Sequence, residues 1–178
     1  PVHGGILKSK MRYTAGAGIK IQSEALKQQF EKVNNKNENL HDISKAFFSS
    51  RYAIGNCYIH IKTNKERNFF SLFLKDYTQA RLGICEAKNY VIFHPDFKNT
   101  RNIEPVQVPI FPLFKETKDG YLESCYVVND LVEGYLPYGL PDWLSGIDSA
   151  ETNRAVNMWN KNSSKNGISS DYIFTGQF

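Results

Sequence analysis

Three cysteines and four histidines are the side chains of this 178-residue chain best suited to nucleophilic or metal chemistry. Cys57 and His60 stand closest together. Residues three apart in a strand point to opposite faces, so the two form no local thiolate–imidazole pair. His94-Pro95-Asp96 brings an imidazole and a carboxylate together, but two donors are not a metal site, and neither an HxH nor an HExxH run accompanies them. The bland reading is a strand end followed by a Pro-Asp turn. Gly16 and Gly18 form a GxG with no third glycine and no Walker Lys-Ser/Thr, which fits a turn with positive φ better than a phosphate cradle. Paired carboxylates, Asp142 with Asp148 and Asp148 with Glu151, fit a solvated helix face. Spacing therefore assigns no catalytic, metal-ligating or cofactor-binding residue, and no cofactor is expected.

Charge is more informative. Lys8, Lys10, Arg12 and Lys20 fall in the first twenty residues with no acid among them, and they account for the whole net charge of +4. A second basic group, Lys62, Lys65 and Arg67, falls in a turn. Such groups are either solvated faces or contacts for a polyanion or subunit; Lys8, Lys10, Arg12, Lys65 and Arg67 are the candidates for DNA contact. No apolar run approaches the roughly 18 residues that span a bilayer, so no membrane partner is expected. The cysteines, Cys57, Cys85 and Cys125, are odd in number and lack a CxxC, which argues for reduced thiols rather than a disulfide scaffold or a structural zinc. No apolar h-region opens the chain, and it starts at Pro1 without an initiator Met, so a processed product or a fragment is expected.

The elements that must position these residues follow from periodicity. Gly5–Tyr13 fits either a helix, with Lys8 and Arg12 on one face, or a strand, with Leu7, Ser9, Met11 and Tyr13 alternating against the bases; it breaks at Ala15-Gly16-Ala17-Gly18. Ser23 caps a helix whose Leu26, Phe30 and Val33 share a face. Asn34–Asn39 reads as a polar linker, and His41–Tyr52 as a second helix with Ile43, Ala46 and Phe47 inward. Cys57, Ile59 and Ile61 then alternate with Tyr58, His60 and Lys62, and Phe69–Leu74 returns as the partner strand of a hairpin. Further strands are expected at Leu82–Glu86, Tyr90–Phe93 and Tyr121–Val128, with a turn at Asp119-Gly120. Pro105, Pro109 and Pro112 limit residues 104–114 to an extended edge or connection. Gly139-Leu140-Pro141-Asp142 opens a long amphipathic helix with Trp143, Ile147, Ala150, Arg154 and Met158 in one stripe, Trp143 largely buried. Lys165-Asn166-Gly167 ends it, and Asp171–Phe174 is a last short strand. The order gives a single α+β domain over residues 1–178: N-terminal helices, a mainly antiparallel set of strands and hairpins, then the long helix.

The segment Tyr138-Gly139-Leu140-Pro141-Asp142-Trp143-Leu144-Ser145-Gly146, followed by a helix and Lys165-Asn166-Gly167-Ile168, resembles tailed-phage portal proteins. The stretch Ile6–Gly18 is similar to the opening of portals in this group, a Lys-bearing helix closed by a Tyr-x-x-Gly-x-Gly turn, and Gly55-Asn56-Cys57-Tyr58 resembles the start of their first hairpin. Residues 95–130 match weakly. The resemblance implies part of a longer portal subunit, a structural virion protein assembled in the host bacterial cytoplasm. Its ring sits at one capsid vertex, and DNA is packaged and ejected through it. The implied partners are other portal subunits, DNA without sequence specificity, and terminase, capsid and tail proteins. No bond is made or broken, so no enzyme is expected. Tyr138, Gly139, Leu140, Pro141 and Trp143 are the implied subunit-contact or hinge residues. Two other classes stay open: a small intracellular α+β enzyme whose site assembles only in three dimensions, and a DNA-binding accessory module.

Overall fold

The computed structural model describes residues 2–85, 88–100, 103–131, 133–134 and 137–166. The chain is of the mixed α+β class and divides into two compact units, Pro1–Pro141 and Asp142–Phe178.

The first unit begins with three helices. α1 (Val2–Ala15) settles the ambiguous stretch as helix and stops where Gly16 and Gly18 take φ of 60° and 120°. Leu7, Met11 and Ala15 recur at i, i+4 and i+8 and are partly buried where α1 packs on α3. α2 (Glu24–Glu31) follows Ser23, which stands at the N-cap position without a side-chain cap bond. α3 (Leu40–Ile54) is the best-capped helix. Asn39 accepts from the Asp42 N–H while Asp42 accepts from the Asn39 N–H, and Gly55 closes the other end at φ 76°. Such a box is worth about 1 kcal/mol.

Two antiparallel sheets follow. The first has the order β2-β1-β7-β6, from β1 (Asn56–Thr63), β2 (Phe70–Lys75), β6 (Lys115–Glu116) and β7 (Leu122–Asn129). The second has the order β3-β4-β5, from β3 (Ala80–Cys85), β4 (Lys88–Phe93) and β5 (Val106–Pro109). β5 is an edge strand, a position that suits Pro109 and its missing N–H. Strand alternation sorts the first sheet into two layers. Tyr58, His60, Phe73, Cys125 and Val127 share one face, and there Tyr58 and Cys125 join Ala80, Val91, Phe93 and Val108 of the second sheet in the core. The other face meets α3, and Phe30 of α2 lies 5.4 Å from Phe70 of β2 between ring centroids.

Asn34–Asn39 is no loose linker. Asn34 is buried. Its amide donates to the Glu38 carboxylate at 2.6 Å and to the Leu72 carbonyl at 2.9 Å, and the Leu72 N–H donates to Val33. The loop thereby satisfies the N–H and C=O of Leu72 on the outer edge of β2, groups that would otherwise be open to pairing with another chain.

The second unit holds a short 3₁₀ turn, Asp142–Gly146, and α4 (Ile147–Asn166). The helix thus opens as 3₁₀ rather than α. With three residues per turn in that segment, Trp143 no longer lines up with Ile147 and Met158, and Trp143 is 36 % exposed rather than largely buried. Ile147, Val156, Met158 and Trp159 are exposed as well. Gly167 and the strand expected at Asp171–Phe174 lie outside the described residues.

Candidate functional site

Two groups of residues singled out by sequence have defined surroundings: the Tyr138–Pro141 segment and the basic clusters.

The first is a clasp. Asn56, the first residue of β1, lays its carboxamide along the backbone of Gly139. The amide donates to the Gly139 carbonyl and accepts the Gly139 N–H, each at 2.8 Å, and it also donates to the Ile54 carbonyl at 3.1 Å. Asn56 is buried, and these bonds use both of its donors and its acceptor. The ladder continues through main chain. Asp130 N–H donates to Gly55 at 2.8 Å, and Leu140 N–H donates to Asp130 at 2.9 Å. The Arg51 guanidinium forks onto the Asp130 carboxylate at 2.7 and 3.0 Å, so the C-terminal turn of α3 is tied to the chain leaving β7. Tyr138 accepts the Leu82 N–H through its hydroxyl at 3.2 Å, covering part of the outer edge of β3.

Two glycines make this closeness possible. A Cβ on Gly139 would collide with the backbone of Gly55 and Asp130, and a Cβ on Gly55 would collide with the carbonyl of Leu140 and stand 2.8 Å from the Pro141 nitrogen. Tyr138, Gly139, Leu140 and Pro141 therefore come together with Gly55, Asn56 and Asp130. Trp143 belongs to the second unit. Sequence reasoning named Gly55-Asn56 only as a hairpin start and passed over Arg51 and Asp130. Their bonds span 79 to 83 positions and leave no periodic trace.

The sequence matches no protein-family model and no curated protein.

The basic residues divide between two places. On α1, Lys8 and Arg12 are exposed, flanked by exposed Ile6 and Tyr13, whereas the Lys10 ammonium sits 4.3 Å above the Tyr52 ring of α3. At the β1–β2 hairpin tip Lys65 pairs with Glu116 at 2.6 Å, and the Arg67 guanidinium stacks 4.7 Å over Phe114. Arg67 does this from φ 57°, a left-handed conformation unusual for a side chain of its size. Lys75 of β2, partly buried, has its pKa lowered first by desolvation and then by the charges of Lys62 and Lys36. Those two lysines come from the hairpin and from the 34–38 loop.

His94, Cys57, Cys125 and the His60–Glu123 pair have structural surroundings. His94 is buried. It accepts the Asp96 N–H at Nδ1, so Nε2 carries the proton and donates to Ile103 at 2.8 Å. Neither ring nitrogen is left for a metal. Cys57 and Cys125 are free and buried, and desolvation pushes each thiol up to about 12, far from a nucleophilic thiolate. His60 and Glu123 form a pair at 3.2 Å, both buried. Desolvation alone would raise the Glu123 carboxyl, but its hydrogen bond with His60 and the charges of His60, Lys62 and Lys115 outweigh this, and its pKa falls below the usual value.

Proposed function

We propose that the chain is a structural part of a tailed-phage portal subunit, a component of the ring through which DNA is packaged and ejected at the capsid vertex. One observation carries the reading. Gly55-Asn56 and Tyr138-Gly139-Leu140-Pro141, two of the segments on which the resemblance rests, close on each other through contacts that only glycine permits at positions 55 and 139. Because the two segments form one structural unit, their likeness to portals is read together, and this supports the proposal. The Ile6–Gly18 stretch adds to this, since it forms a Lys-bearing helix closed by a Gly-x-Gly turn at positive φ.

In this reading the clasp is the hinge base from which the chain continues into Asp142–Asn166, and Lys8 and Arg12 on the open side of α1 make weak, sequence-independent contacts with DNA phosphates. Neighbouring subunits, terminase, capsid and tail proteins are the partners, and the virion is the destination. Sequencing the DNA on both sides of the coding region tests it. Genes for a large terminase subunit and a major capsid protein beside this one are the expected result; metabolic genes on both sides would overturn the proposal.

A further inference from the structure

The outer face of the second sheet carries a pocket distinct from the clasp and from the exposed bases of α1. Register sorts the strands of this sheet into two faces. Val91 and Val108 are paired and point into the core, so the next pair, Tyr90 of β4 and Pro109 of β5, points away from it. Gly83 is the partner of Tyr90 in β3. The Tyr90 ring takes the place where a Gly83 Cβ would stand, its Cζ 2.6 Å from that point. The ring therefore lies down over β3, and the space beside Pro109 stays open. The chain leaving β5 makes a turn, in which the Leu113 N–H donates to Ile110 at 3.0 Å, and supplies the opposite wall through Leu113, Phe114 and Lys115. The pocket holds about 470 Å³, within the range of about 300–1,000 Å³ common for small-molecule sites.

Its lining states what it would accept. Tyr90, Pro109, Leu113 and Phe114 form an apolar wall with two aromatic rings. Phe114 is fixed from outside the pocket, edge-to-face with Phe111 at 6.0 Å and beneath the Arg67 guanidinium at 4.7 Å. Gln107 shares the outward face of β5 with Pro109, and its carboxamide has no hydrogen-bond partner among the described residues. The lining contains one cation, Lys115, and no acid. Lys115 stands opposite Glu123 in the β6–β7 pair, but among the described residues its ammonium makes no ion pair and reaches only the Gln107 carbonyl, at 3.4 Å. A long bond to a neutral oxygen leaves that charge available to a closer anionic one. A flat ring suits the aromatic wall, and a carboxylate suits Lys115 with the Gln107 amide beside it. We infer that this pocket is a binding site for a small aromatic carboxylate. The inference goes beyond the portal reading and stands without it.

The test uses the full ¹⁵N-labelled chain and three ligands of similar size: phenylacetate, its neutral counterpart phenylacetamide, and cyclohexylacetate, which keeps the charge and lacks the aromatic ring. Phenylacetate is expected to shift the side-chain amide of Gln107 and the backbone amides of Tyr90, Leu113 and Lys115. It is expected to bind about threefold more tightly than phenylacetamide, as one exposed ion pair predicts, and more tightly than cyclohexylacetate. Lys115→Gln, at an exposed position, is expected to bring phenylacetate down to the affinity of the amide. Leu113→Trp, also at an exposed position, puts a larger side chain into the pocket and is expected to weaken phenylacetate about tenfold or more, with the spectrum away from the pocket unchanged. The inference is overturned if phenylacetate moves none of these resonances at roughly 10 mM, or if phenylacetamide or cyclohexylacetate binds as well. A preference for the carboxylate that survives Lys115→Gln also overturns it, as do shifts that survive Leu113→Trp.

Discussion

The clasp and the hairpin tip are both sites where remote parts of the chain meet, and they are built in opposite ways. At the clasp, backbone meets backbone, the linking amide is buried, and two glycines leave no room for a methyl group. At the tip, contact is made by the ends of long side chains: Lys65 and Glu116 are 64 % and 54 % exposed, and Arg67 lies on a ring it could leave by a rotamer change. A buried backbone joint has no solvated alternative, so breaking it leaves groups without partners. An exposed ion pair only trades one partner for water. The first fixes geometry; the second decorates a loop.

The largest expected effect is therefore at Gly55. Gly55→Ala adds a Cβ against the Leu140 carbonyl and forces alanine into φ 76°. Overpacking costs about 3 kcal/mol and the left-handed conformation about 1 kcal/mol, about 4 kcal/mol together. Gly120→Ala is the control. Its φ is 78° but no atom lies within 4 Å of the added Cβ, so only the conformational part, about 1 kcal/mol, is expected. Urea unfolding of the two variants separates close approach from backbone strain. Equal losses would mean that the clasp is not tightly closed.

Asn56→Ala comes next. It keeps the fold of β1 but strands the N–H and C=O of buried Gly139, each of which now bonds to the carboxamide. Two orphaned backbone groups predict a loss of about 3 kcal/mol and faster amide exchange at Gly139. A loss under about 1 kcal/mol, with Gly139 still protected, would show that the chain closes the joint without Asn56.

What was legible in the sequence follows the same division. Period-two alternation marked β1, an apolar run after a polar turn marked β2, the Asp119-Gly120 turn preceded β7, and the prolines limited the β5 region to an edge or a connection, because strand faces, turns and missing N–H groups are local properties. α1 was ambiguous because its bases fall at every second position, a strand pattern, while Leu7, Met11 and Ala15 keep the helical one; packing on α3 decides for the second. Asn34 looked like linker because it is polar, and only the fold reveals the β2 edge that its amide serves. Tyr138–Pro141 and Gly55-Asn56 were each picked out as segments, but neither Asn56 nor Asp130 was recognised as a partner of Gly139 and Leu140, since a backbone-to-amide joint places no demand on neighbouring residue types. Trp143 was misjudged by extending one α-helical period across a 3₁₀ turn.

The layer between the sheets gives the third and smaller effect. Glu123 is buried against His60, and its carboxyl titrates below the usual value. A carboxylate with a depressed pKa contributes stability that is present above its unfolded pKa, near 4.3, and is lost as pH falls through the folded value. Urea midpoints measured from pH 6 down to pH 3 should therefore fall more steeply for the native chain than for Glu123→Gln. Parallel curves would mean that the pair contributes nothing net, the outcome that desolvation can produce for buried ions.

The smallest effect tests whether the tip is as loose as its exposure implies. Arg67 combines a favourable stacking contact, worth about 0.5–1 kcal/mol, with a left-handed backbone that costs a non-glycine residue about 1 kcal/mol. Arg67→Ala removes the stacking and keeps the backbone cost, so it should destabilise by about 0.5–1 kcal/mol. Arg67→Gly removes both, and the two terms nearly cancel. The alanine and glycine variants should thus differ by about 1 kcal/mol although neither can touch Phe114. If they are equal in thermal unfolding, the tip relaxes out of the left-handed conformation once the guanidinium is gone. The stacking of Arg67 on Phe114 would then be what holds the backbone there, and the tip would be even more weakly fixed, relative to the clasp, than its open ion pair suggests.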